Sequence, residues 1–322
     1  MKAVYIEQNG GPQALIYGDR PEPEPAAGEV LVKVAASGVN FTDTYHRTGL
    51  YKLPLPAILG SEGAGTVERA GEGVSGFKPG DRVAYAMARG SYAEHHAVPA
   101  RLLVHVPATV ELRDAAAVLL QGMTAYYLSH STFPLKAGQT ALVHAAAGGT
   151  GRLLVQMAVM RGARVIATAG TEAKAALARE AGASDVILYD QEPDWPAEVK
   201  RLTGGAGVDV IYDSVGQTTF MKGLDCLKPC GYMVSFGQSS GPVQAFDILL
   251  LLTKGSLYVT RPTLSNHMSA AEIAQSTGDI FRWIAEGQLK LRIDHVYKLS
   301  EAAQAHRSLE GRKTTGKLIL EV

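Results

Sequence analysis

The sequence predicts an α/β protein in which a doubly wound parallel sheet is inserted into a β-rich domain. Three observations carry that expectation. Short β-branched runs broken by Pro and Gly fill residues 1–109, and a strand, glycine turn, helix, strand grammar repeats from residue 139. Short strands around a helix then return after residue 290. The expected boundaries are 1–124 together with 264–322 for the β-rich domain, and 125–263 for the parallel-sheet domain.

In chain order, strands are expected at 30–34, 65–68, 82–85 and 102–106, punctuated by the turn signals Lys78-Pro79-Gly80-Asp81 and Pro23-Glu24-Pro25. The alternating region gives strands at 140–144, 164–169, 185–189, 208–213 and 232–236, with helices at 151–161 and 172–181. Alternation of this kind requires crossovers and therefore a parallel sheet covered by helices. One more strand is expected from Ser256 to Arg261, then an amphipathic helix at 270–286. The tail holds strands at 292–298 and 317–322 around a helix at 301–309.

Composition narrows the function classes. The 322 residues carry 31 Lys+Arg against 31 Asp+Glu, with 46% hydrophobic residues, so a buried core is available and disorder is excluded. Zero net charge and the lack of a basic run argue against a dedicated nucleic-acid or membrane-surface binder. Two cysteines give no disulfide framework, and the N-terminal residues lack a signal peptide's apolar core, so a reducing cytoplasm is expected. The longest strongly apolar stretch, 248–252, is far short of the ~20 residues of a membrane helix.

The 35 glycines matter for where they fall. After the strand at 140–144 comes Ala146-Ala147-Gly148-Gly149-Thr150-Gly151, then a helix opening near Arg152. This is the dinucleotide fingerprint with Ala146 at its first position. Gly148 lets a pyrophosphate approach the backbone, Gly151 lets helix pack on strand, and the helix N-terminus offers free N–H groups. The next strand ends in Ala169-Gly170-Thr171, without the acidic residue that would hold a ribose 2′-hydroxyl, and Lys174 follows one turn later. A hydroxyl and an ammonium suit a 2′-phosphate, so NADPH is expected over NADH, although Glu172 adds a negative charge nearby. Arg152 beside the glycine turn has no role that the sequence assigns.

Six motifs in order, at residues 37–45 with 49–51, 60–65, 78–83, 145–151, 212–216 and 255–262, span essentially the whole chain. With them the sequence resembles the zeta-crystallin-like quinone oxidoreductases of the medium-chain dehydrogenase/reductase superfamily; Thr150, where that family usually has Val, is one departure. The resemblance implies a GroES-like catalytic domain carrying a Rossmann domain, with cofactor and acceptor in the cleft between them. Carried over by motif, the implied NADPH contacts are Asn40, Tyr45, Thr124, Tyr127, Gly148, Gly149, Gly151, Gly170, Thr171, Lys174, Tyr189, Ser214, Phe236, Gly237, Ser239, Arg261 and Arg312. It further implies a homodimer through the strand from Ser256 to Arg261.

Zinc-dependent members of that superfamily carry Cys where this chain has Asn40 and His where it has Ser61, so no metal is expected. His95 and His96 are adjacent, which aims them at opposite faces of a strand. Cys226 and Cys230 are read as able to share a helical face and as ordinary buried thiols. Without a Lewis acid, a conjugated acceptor that spreads incoming charge over its own π-system suits the site better than a simple alcohol. The expected reaction is therefore NADPH-dependent quinone reduction. Asn40, Tyr45 and Tyr51 are the candidate catalytic residues, for positioning or proton donation, with Asp43 either at the nicotinamide end or capping a turn. The acceptor pocket is expected to depend on Tyr45, Tyr51, Tyr126 and loop residues near Leu249. The alternatives are an NADPH-dependent alkenal or enone reductase, and an NADPH-binding structural or RNA-binding protein.

Overall fold

A computed structural model describes residues 1–322 as two compact units, Met1–Met123 with Met268–Val322, and Thr124–His267. The first unit runs through β1 (Lys2–Ile6), β2 (Ile16–Asp19), β3 (Glu29–Val39), α1 (Phe41–Thr48), β4 (Ala57–Ile58), β5 (Glu62–Ala70), β6 (Arg82–Ala86), β7 (His95–Pro99) and β8 (Leu103–His105) into α2 (Leu112–Tyr127). The second holds the end of α2, then β9 (Thr140–Val143), α3 (Gly149–Met160), β10 (Arg164–Ala169), α4 (Glu172–Glu180), β11 (Asp185–Leu188), α5 (Trp195–Leu202), β12 (Val208–Asp213), α6 (Phe220–Gly223), β13 (Leu227–Ser235), α7 (Leu249–Thr253) and β14 (Tyr258–Thr260). The chain then returns to the first unit with α8 (Ala270–Ala285), β15 (Ile293–Lys298), α9 (Ala302–Glu310) and β16 (Lys317–Glu321).

In the first unit the long strand β3 is central. It pairs antiparallel with β5, β7 and β16, so that Leu318 faces Val39 across the ladder and the final strand lies beside the start of α1. Val4, Ile6, Val39, Tyr92, Tyr297, Leu318 and Leu320 form one buried cluster of this unit. His95 and His96 sit on β7 as expected of neighbours in a strand. His95 Nε2 meets Glu68 at 3.0 Å, and His96 Nε2 donates to the Arg89 carbonyl at 2.7 Å.

In the second unit six parallel strands run in the order β11-β10-β9-β12-β13-β14. The order reverses between β9 and β12, the topological switch point at which open α/β sheets bind ligands. Leu142, Ile166, Ile187, Ile211 and Met233 from successive strands pack with Trp195 and Phe220 in its core. Arg152 has a structural explanation. Buried at 4% exposure, it donates Nη1 to the Leu177 carbonyl and Nη2 to Glu180, both at 2.9 Å, and so ties α3 to α4.

Several local expectations need correction. The fingerprint helix starts at Gly149 because Gly148 itself occupies the capping position in extended backbone. Cys226 closes a short 3₁₀ turn and is buried, whereas Cys230 is an exposed β13 residue at φ 57°, so they share no helical face and only one is a buried thiol. Leu249 begins α7 and is not in a loop. The expected strand from Ser256 shortens to Tyr258–Thr260, since Ser256 adopts φ 56°.

Candidate functional site

Most of the implied cofactor contacts stand at the carboxyl ends of the parallel strands. After β9 the backbone turns through Ala145 at φ 50° into Gly148, which caps the 12-residue helix α3 with no side-chain acceptor for the first-turn N–H groups and no acidic residue in that turn. Such amides can donate to an anion. A Cβ on Gly151 would collide with the Ala145 carbonyl, and one on Gly148 would stand 3.2 Å from the same oxygen. After β10, Thr171 caps α4 by accepting the Lys174 N–H at 3.3 Å. Glu172, the negative charge beside Lys174, is paired with Arg179.

The remaining strand ends supply the rest of this rim. Tyr189 follows β11, and its hydroxyl would lie 3.3 Å from a Cβ on Gly170. Asp213 at the end of β12 accepts the N–H groups of Val215 and Gly216 at 2.7 and 3.0 Å, shaping the loop that carries Ser214. The Ser239 N–H donates to the Ser214 carbonyl at 3.1 Å, and a Cβ on Gly237 would fall 2.6 Å from that oxygen, so the loops after β12 and β13 lie against each other. Arg261, just past β14, donates to the Ser235 carbonyl at 2.8 Å. Thr124 and Tyr127 lie on the last turn of α2, where the Tyr127 ring stacks on His267 at 4.5 Å.

Asn40, Tyr45, Tyr51 and Arg312 belong to the first unit. Tyr45 on α1 and Tyr51 after it meet edge to face at 5.2 Å, and the Tyr51 N–H donates to the Tyr45 carbonyl at 3.1 Å. Tyr51 is 39% exposed, which leaves a phenol at the surface beside α1. Arg312 follows α9 with φ 54°. Asn40 is different in kind: it is buried, and its amide is engaged on both sides. Nδ2 donates to Glu62 at 2.7 Å and to the Gly38 carbonyl at 3.3 Å, while Oδ1 accepts from Lys317 at 2.8 Å. Lys317 also pairs with Glu62, whose second oxygen accepts the Leu120 N–H at 2.8 Å.

Beside that hub runs a second buried chain. Arg47 donates to His306 Nδ1 at 2.9 Å, which fixes the imidazole proton on Nε2, and Nε2 donates to the Tyr92 hydroxyl at 3.1 Å. Tyr92 donates to Asp43 at 3.1 Å, and Asp43 also accepts from Ser61 at 2.6 Å and from the Asn40 N–H at 2.8 Å. Burial pushes the Asp43 carboxyl up to about 6 against the lowering effect of these donors and of Lys317. Burial, with Arg47 beside it, holds His306 neutral, down at about 3. Asp43 therefore both closes the first turn of α1 and anchors this chain.

Residues 26–108 match the alcohol dehydrogenase GroES-like domain family, and residues 149–276 match the zinc-binding dehydrogenase family. The chain is 45% identical over 322 residues to a quinone oxidoreductase of Pseudomonas aeruginosa, covering 99% of both proteins. The chain belongs to the quinone oxidoreductases of the medium-chain dehydrogenase/reductase superfamily. A solved Escherichia coli quinone oxidoreductase in complex with NADPH matches it with a TM-score of 0.97 at 42% identity, over 100% of each chain. A 2-haloacrylate reductase of a Burkholderia species is 39% identical over 328 residues, 99% of this chain and 98% of that one.

Within this quinone oxidoreductase chain, Asn40 and Ser61 face Glu62, Lys317 and Asp43. Nowhere do three or more His, Cys, Asp or Glu side chains converge as ligands of one ion. Glu62, Lys317, Tyr92 and His306 were not singled out from the sequence. Glu62 lay inside the motif at 60–65, but its partner Lys317 is 255 residues away, and no local pattern links them.

Proposed function

We propose that this chain reduces quinones with NADPH, without a metal, and the observation that carries the reading is the glycine-turned, uncapped N-terminus of α3 at the sheet's switch point in a full-length quinone oxidoreductase chain. The site fits the dinucleotide: close backbone at Gly148, Gly151 and Gly237, free first-turn amides, and no acid at the end of β10. Gly148, Gly149 and the α3 amides hold the pyrophosphate, Thr171 and Lys174 face the 2′-phosphate, and Tyr189, Ser214, Phe236, Ser239 and Arg261 line the rest. Bound NADPH supplies the reducing equivalents. Tyr45 and Tyr51 wall the acceptor and offer a phenolic proton to its developing oxyanion, while Asn40, locked by Glu62 and Lys317, sets the start of α1.

Because a conjugated acceptor disperses the charge it gains, positioning and exclusion of water do most of what a Lewis acid does elsewhere. The 39% identity to a 2-haloacrylate reductase supports a second reading, reduction of activated carbon–carbon double bonds by the same residues. The protein works in the cytoplasm as a homodimer joined along β14, the terminal strand of its sheet, on which Tyr258 and Val259 are exposed. The deciding experiment compares NADPH oxidation with 9,10-phenanthrenequinone and with an unsaturated aldehyde. Turnover of the quinone is expected; turnover of the enal alone would establish the second reading, and no NADPH binding in a fluorescence titration would remove both.

A further inference from the structure

In the first unit, the segment from Leu53 to Ser61 lines, with His46 and Arg89, a partly open cavity of about 300 Å³. Its walls are mainly apolar, with Leu53, Ile58 and Leu59 among them, and its polar groups are Ser61, His46 and Arg89. No carboxylate lines it. Ser61 is fixed by its bond to Asp43, so its hydroxyl oxygen has lone pairs to spare. His46 Nδ1 donates to the Tyr51 carbonyl at 3.3 Å, which leaves Nε2 as an acceptor, and burial together with the Arg89 charge lowers its pKa. The Arg89 carbonyl is taken by His96, but its guanidinium has no ion pair or hydrogen bond to the protein.

That combination is specific. Apolar walls favour a planar ring system, the volume falls at the lower end of small-ligand pockets, and an unpaired guanidinium at the rim is a fork for a planar anion. We propose that this cavity, adjoining the Tyr45–Tyr51 pair that walls the reacting end, takes the distal part of the acceptor and that it selects conjugated acceptors bearing an anionic group, a carboxylate or sulfonate, which Arg89 binds. The inference rests on the reductase reading above and names the class of acceptor. His46 connects the cavity to the aromatic pair, since its ring meets Tyr51 at 5.7 Å and Tyr51 meets Tyr45.

The test uses the full chain with NADPH and compares 1,4-naphthoquinone with 1,4-naphthoquinone-2-sulfonate, for the parent protein and for Arg89→Gln and Arg89→Glu. The expected result is a fall of about 10-fold in the ratio of kcat/KM for the sulfonate over the neutral quinone in Arg89→Gln, carried by KM, and a larger fall in Arg89→Glu. A ratio unchanged within twofold overturns the proposal. A second measurement, calorimetric titration of NADPH-free protein with redox-inert 2-naphthalenesulfonate, separates the two readings. Binding that weakens in Arg89→Gln supports the subsite even if no quinone turns over, an outcome that would defeat only the reductase reading. Binding indifferent to Arg89 overturns the subsite whatever the turnover.

Discussion

Lys317, at the start of the last strand, holds both Glu62 and the Asn40 amide in the interior of the first unit, with side-chain exposures of 3% for Lys317 and 0% for Glu62. A buried cation here closes a hydrogen-bonding circuit that joins β3, β5, β16 and, through Leu120, helix α2. Such a pair costs desolvation, so removing one partner is worse than removing both.

Lys317→Met is accordingly expected to destabilise the protein by roughly 3–5 kcal/mol, because Glu62 is left as an unpaired buried carboxylate. Adding Glu62→Gln to that variant is expected to recover most of the loss. Urea unfolding of the two singles and the double gives the coupling, and simple additivity would contradict this account.

Asp43 makes stability depend on pH in a defined direction. Its carboxyl titrates at about 6 in the folded chain against 3.8 for the ordinary group, so the folded state binds the proton more tightly between those values. The contribution is fully present below pH 3.8 and declines as pH rises towards 6, by up to about 1.4 kcal/mol per pH unit. In Asp43→Asn that slope disappears. The difference in unfolding free energy between parent and variant, measured across this window, should change with pH; a flat difference would refute the assignment.

Lys174→Ala tests the source of cofactor preference. The ammonium on α4 is expected to interact with the 2′-phosphate, so the variant should bind NADPH about 10-fold more weakly while its affinity for NADH changes little. Fluorescence titrations with both nucleotides check it, and equal losses for the two would place the effect elsewhere.

The free edge of β14 predicts assembly. Light scattering at micromolar protein should give twice the 34.1 kDa chain mass, and Val259→Pro, which puts a proline into the edge strand, should shift it towards the monomer. A monomeric parent would end the proposal of a β14 dimer.

The parallel-sheet unit was the legible part of the sequence. Strands β10 and β12 begin and end where their β-branched runs do, because buried strands leave a continuous apolar signal between turn residues. Helix α2 left none: Ala115 to Leu119 are all buried, so no single face is marked by a 3.6-residue stripe. The Cys226 and Cys230 reading failed for a related reason, since a spacing of four implies a shared face only if the segment is helical, and here it passes from a 3₁₀ turn into β13.

By itself the sequence carried the class of protein and the expectation of NADPH, because a fingerprint turn, its glycines, and the missing acid after β10 are all local properties of adjacent residues. Only the tertiary structure decided what Asn40 does, which groups surround Asp43, why Arg152 is charged and buried, and where Arg89 stands. Each of these depends on residues far apart in the chain, such as Asn40 with Lys317 or Tyr92 with His306, meeting in an interior where every buried charge must find its partner.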